Sequence, residues 1–142
     1  MSRRTGLPVP WLWALALLGV PRVVAHDLRL VGPVVNAVLV FAPIAVWLAV
    51  VLWRRVPNPF LALLVVGACH GVLLAVTHQL LWAQAFAGTA PDFAGGQVVL
   101  RISAALSSLV TGTAVGAVTG AVGWVLARLV PAFRPRRRGE ES

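Results

Sequence analysis

Three stretches of the chain are apolar from end to end, and each is bounded by charge or by proline. Residues 34–53 and 60–83 carry no charged side chain, and Pro57-Asn58-Pro59 between them ends one helix and starts the next. The third stretch lies between Arg101 and Arg128, over residues 102–127. A helix crossing the ~30 Å hydrocarbon core needs about 20 mainly apolar residues. All three reach that length, and the last exceeds it, so it must tilt or project beyond the bilayer. A fourth stretch, residues 8–25, is long enough but interrupted by Pro10, Pro21 and Arg22. It admits two readings: a retained first span, or a secretory signal that opens with Arg3-Arg4 and is cut after Ala25.

The architecture this predicts is an all-α, polytopic transmembrane helix bundle. It has four spans (about 8–25, 34–53, 60–83 and 102–127), or three if the N-terminal segment is a cleaved signal. Residues 1–133 make a single domain, and residues 134–142 form a basic tail. The loop over residues 23–33 and the Gly-, Ala- and Pro-rich loop over residues 84–97 are too short to form a substrate-binding domain.

Composition agrees. Apolar residues make up 59% of the chain and charged residues 11%, with a mean hydropathy of +0.89. A soluble domain would carry about 25% charged residues. Twelve basic residues, all arginine, against four acids give a net charge of +8. They stand at the ends of apolar runs and not on a polar face, which argues for membrane flanks and against nucleic acid. Nine lie near residues 3–4, 54–55 and 128–138, and three at Arg22, Arg29 and Arg101. The positive-inside rule then puts both termini on the cytoplasmic side of a cell (plasma or inner) membrane, or the N-terminus outside if the signal is cut. Trp11, Trp13, Trp53 and Trp124 fall at the predicted inner interface and Trp82 at the outer one, while Trp47 sits deeper.

Candidate chemistry is concentrated on the third span. At about 100° per residue, Gly67, His70, Gly71, Leu74, Thr77 and His78 share one broad face. Leu61, Val65, Val72, Val76 and Leu80 take the opposite face, with Cys69 toward lipid. Polar groups without water turn into the bundle, so His70, Thr77 and His78, with Asn36 of the second span, form the candidate polar lining. His78 lies about 12 Å from His70 along the axis, too far for one metal ion. No acid falls inside a predicted span. Gln79 is expected to reach water. Pro43 kinks the second span and frees the Leu39 carbonyl.

The last span is dominated by small residues. Gly112, Gly116 and Gly120 repeat at the four-residue packing interval, with Ala104 and Ser108 extending the line and Gly123 on an interleaved one. Gly67 and Gly71 form a similar pair. This helix either packs centrally within one copy or also joins two copies. Arg134, Arg136, Arg137 and Arg138 are placed to touch anionic lipid. His26 would gain a copper-chelating amino group only if the chain were cut after Ala25.

No carboxylate dyad, HExxH, GxSxG or phosphate loop is present, so the expectation is no enzyme and no resident cofactor. One cysteine excludes a disulfide framework. The leading functional expectation is a non-enzymatic helix-packing or accessory protein that self-associates or joins a membrane complex. Its partners would be the bilayer and another membrane protein or copy, not nucleic acid or a soluble substrate. Two alternatives stand beside it. One is a proton or small-solute path lined by His70, Thr77 and His78. The other is a haem-b or metal-binding redox protein using His70 or His78.

Overall fold

The computed structural model describes residues 5–86 and 96–134, and their regular structure is helical. The elements are α1 (Val9–Leu17), α2 (Val20–Asp27), α3 (Pro33–Trp53), α4 (Pro59–Leu80), the single turn α5 (Trp82–Ala85), α6 (Gly96–Leu129) and a 3-10 turn (Pro131–Phe133). α1 and α2 together make one broken span, so four stretches are long and apolar enough to cross a membrane. The chain is an all-α, membrane-embedded helix bundle.

The first span is part of the core. Leu7, Leu12, Leu15, Ala16 and Val23 are buried among the other helices. It also runs further than its hydropathy suggests, through His26 and Asp27, so the expected loop over residues 23–33 shrinks to residues 28–32. α6 likewise begins at Gly96 and includes Arg101. Its 34 residues span about 51 Å at 1.5 Å each, well beyond the hydrocarbon thickness.

Local sequence explains where the helices start and stop. Asn58 caps α4 by accepting a hydrogen bond from the Leu61 N–H at 3.0 Å, with Pro59 in the first turn where no donor is missed. α3 ends in a Schellman motif: the Val56 N–H reaches the Val51 carbonyl at 3.1 Å and the Arg55 N–H reaches Leu52 at 3.0 Å. α2 ends the same way, with Leu30 on Ala25 at 2.9 Å and Arg29 on His26 at 3.0 Å. The left-handed residue is arginine in both, at φ 49° for Arg55 and 54° for Arg29. Arginine also stacks on indole near the helix ends: Arg54 on Trp11, Arg128 on Trp124 and Arg101 on Trp82.

α4 is the central helix. It packs on α6 along one side and on α1 along another. The two-faced division of this span therefore holds only toward its C-terminal half, where Val72, Val76 and Leu80 are exposed. Nearer its start, Leu63 and Val66 are fully buried, and Val65 and Cys69 pack against the core. Cys69 is thus half-buried and not turned to lipid, because α1 covers that side.

Lipid tails are as apolar as leucine, so helices in a bilayer associate through close packing and not through exclusion of water. Here the glycines set that contact. A methyl group on Gly67 would stand 2.5 Å from the Gly112 carbonyl oxygen, and one on Gly116 2.6 Å from that of Leu63. At Gly120 it would meet the Phe60 carbonyl at 2.8 Å, and at Gly71 the Leu109 Cα at 3.0 Å. Gly123 is more tolerant, facing the methyl ends of Leu63 and Leu48 at 3.2 and 3.3 Å. The glycine line of α6 is therefore covered by α4 within one chain, while Ser103, Ser107, Thr111, Ala114 and Ala121 stay exposed.

Gly67→Ala should force backbone apart from backbone and lower stability by about 1–3 kcal/mol. Thermal unfolding in detergent checks this against Gly32→Ala, where an added methyl meets nothing within 4 Å. Equal midpoints for the two variants would contradict the packing account.

Candidate polar site within the bundle

Backbone groups at membrane depth have no water to bond, so a break in a span needs partners from elsewhere in the protein. The first span breaks at Leu18-Gly19. Pro21 has no N–H to offer, and the Leu18 and Gly19 N–H groups turn back tightly onto Leu15 and Ala16 at 3.1 and 3.3 Å. Those two carbonyls are also reached from outside. The Trp47 indole N–H of α3 donates to Leu15 at 2.6 Å, and His70 of α4 bonds through Nδ1 to Ala16 at 3.2 Å. A carbonyl only accepts, so Nδ1 carries the proton and Nε2 keeps the lone pair while the ring is neutral. The two rings meet edge to face, with centroids 5.4 Å apart. Gly19 makes room: a methyl group there would lie 3.0 Å from His70 Nε2 and closer still to Nδ1 and Cε1.

A cavity of about 80 Å³ opens beside this contact, lined by Gly19, Arg22, Leu39, Pro43, His70 and Thr111 among others. Pro43 withholds the donor that the Leu39 carbonyl would otherwise receive. Arg22, half-buried on α2, donates its Nε–H to the Asn36 side-chain oxygen at 3.3 Å. Asn36, a candidate from sequence, thus holds an arginine that sequence reasoning treated only as a flank.

Near the C-terminal end of α4 the structure corrects the sequence reading outright. Asp27 is 5% exposed and inside the bundle. His78 bonds to it through Nδ1 at 2.7 Å, and His26 approaches its other oxygen at 3.3 Å. The expectation of histidines without an acid partner fails because α2 continues through residue 27 instead of ending at residue 25. Among the described residues His78 Nε2 has no partner, and about a third of the side chain is exposed.

The predicted lining is therefore divided. His70 borders the cavity, Asn36 orients Arg22, and His78 belongs to a separate acid–base pair. Thr77 bonds to its own helix at the Leu73 carbonyl, 2.8 Å away, and does not join them. Gln79 donates to the Arg101 carbonyl at 3.0 Å. Ser108 and Thr119 bond back to Ala104 and Val115 in the same way as Thr77. Arg134 is exposed, and Arg136, Arg137 and Arg138 lie outside the described residues. Arg22, Asp27, Gly19, Trp47 and Thr111 are the residues that sequence reasoning missed. The signal for the break was Gly19 followed by Pro21, a helix end and a helix start two residues apart.

Among the described residues no group of three or more histidine, cysteine or acidic side chains is placed to hold a metal ion. The chain matches no family model, no curated protein and no solved structure.

Trp47→Phe keeps the ring but removes the donor to the Leu15 carbonyl. The expected cost is about 0.5–1.5 kcal/mol of stability, since that oxygen then keeps only the bond from the Leu18 N–H. Asp27→Leu strands His78 and should also lower the unfolding midpoint, whereas His26→Ala, at a side chain 61% exposed, should leave it within a degree or two. A neutral Asp27→Leu would show that the pair contributes nothing to the fold.

Proposed function

We propose that this protein carries protons or a small solute across a membrane, with the mid-bundle cavity as its solute site. One observation carries the reading: the cavity lies where one span is broken and the next bears a mid-helix proline. Discontinuous helices at membrane depth are tolerated where they line a cavity, and transporters build their sites from such ends. His70 and Arg22 supply the polar wall, and the Asp27–His78 pair provides a protonatable group about two helical turns away along α4. An inner-membrane setting with both termini cytoplasmic agrees with the arginine distribution.

Flux into proteoliposomes tests the proposal. Wild type should show pH-dependent uptake above empty vesicles, and His70→Ala should reduce it at least about tenfold at equal protein incorporation. Uptake no greater than that of empty vesicles, or unchanged in His70→Ala, would overturn it.

The accessory reading keeps one supporting observation. α3 is sparsely covered, with only 17% of its most apolar window buried, and Val34, Val38 and Phe41 are more than half exposed. A partner helix or second copy would cover that face. Native mass spectrometry from mild detergent decides it, and a bare protomer mass would remove it. For haem, the cavity beside His70 holds two or three water-sized groups. That is far below the room a porphyrin needs, so the haem reading is left with His78 alone.

A further inference from the structure

We propose that the cavity is a binding site for a small monovalent inorganic anion of halide or nitrate size, held by Arg22. The inference rests on the same reading of the cavity as a solute site and adds the ligand's charge and class. Arginine is always protonated, so a full positive charge borders the cavity. Among the described residues only its Nε–H has a partner, the Asn36 oxygen at 3.3 Å. The acid on the same helix, Asp27, is engaged by His78 at 2.7 Å and His26 at 3.3 Å, and no described carboxylate lies within ion-pair distance of Arg22. The forked Nη donors, the part of the guanidinium that matches planar or spherical anions, are left without an acceptor among the described residues.

The rest of the wall fits the same ligand. Thr111 borders the cavity and its hydroxyl makes no hydrogen bond to a described residue, which leaves an O–H to donate. His70 directs its Nδ1–H away, to Ala16. The acceptors at the wall are the Leu39 carbonyl and the lone pair of neutral His70 Nε2, each able to receive a bound water or the hydroxyl of a protonated oxyanion. A charge unpaired within a span is costly, and an anion beside it offsets that cost. Size completes the assignment. A volume of about 80 Å³ holds two or three water-sized groups, which matches chloride or nitrate.

The test is thermal unfolding of the detergent-purified full chain in sodium chloride or nitrate against sodium gluconate at equal ionic strength. Gluconate is too large for the cavity. Wild type should show a saturable rise in midpoint of a few degrees with the small anions. Arg22→Gln keeps the donor to Asn36, loses the charge, and should unfold at the same temperature in all three salts. If that variant does not fold, Thr111→Val should require at least several-fold more anion for the same shift. Equal midpoints for wild type in the three salts, or an anion-dependent shift that survives in Arg22→Gln, would overturn the proposal. A shift without flux in proteoliposomes keeps the site and removes transport. Proton flux with no anion effect on stability keeps the path and removes the site.

Discussion

Two carbonyl groups, those of Leu15 and Ala16, govern how the spans are arranged. They lie at a break in the first span, in a place where water cannot reach them, and each is met by a donor from a different helix. The Trp47 bond ties α3 to α1, and the His70 bond ties α4 to α1. An apolar side chain in place of either donor leaves its carbonyl with only the tight local backbone bond from Leu18 or Gly19. The break therefore acts as a junction for three spans, and the edge-to-face contact between the two rings joins α3 to α4 directly.

The cavity follows from that junction. α4 is drawn to α6 by backbone contact at the glycines and to α1 by His70. α3 has no such small-residue seam. It touches the others through Trp47, through Asn36 and through the Gly123 region of α6, where Leu48 packs. Between these points the proline in α3 and the break in the first span face each other, and the space is not filled. Polar groups that would be expensive in lipid, Arg22, His70 and Thr111, border that space.

The four spans were legible because apolar length is a signal that does not depend on partners. The glycine lines of α4 and α6 were legible too, but not that they meet, since spacing shows that a surface is small and says nothing of what covers it. Asp27 was misplaced for a related reason. Arg22, His26 and Asp27 lower the hydropathy of residues 22–27, so the span seemed to end where its polar partners begin. Asn36 and His78, the residues that receive Arg22 and Asp27, lie on other spans, and their pairing is a property of the bundle and not of any segment. Cys69 was assigned to lipid on a wheel that assumes one covered face, whereas α4 has neighbours on two sides along its first half.

The arginines that close α2 and α3 answer two opposing demands at one position. A left-handed backbone is the natural province of glycine, and an arginine there gives up about 1–2 kcal/mol. The carbonyl oxygens clustered at a helix C-terminus favour a cation, which glycine cannot supply. Arg55 and Arg29 both accept the conformational cost and keep the charge. Any exchange at these sites thus trades shape against electrostatics: glycine relaxes the turn and strips the helix end, while lysine preserves the charge and inherits the strain. A position under both constraints has few acceptable neighbours in sequence space, although it lies on the surface and touches no site.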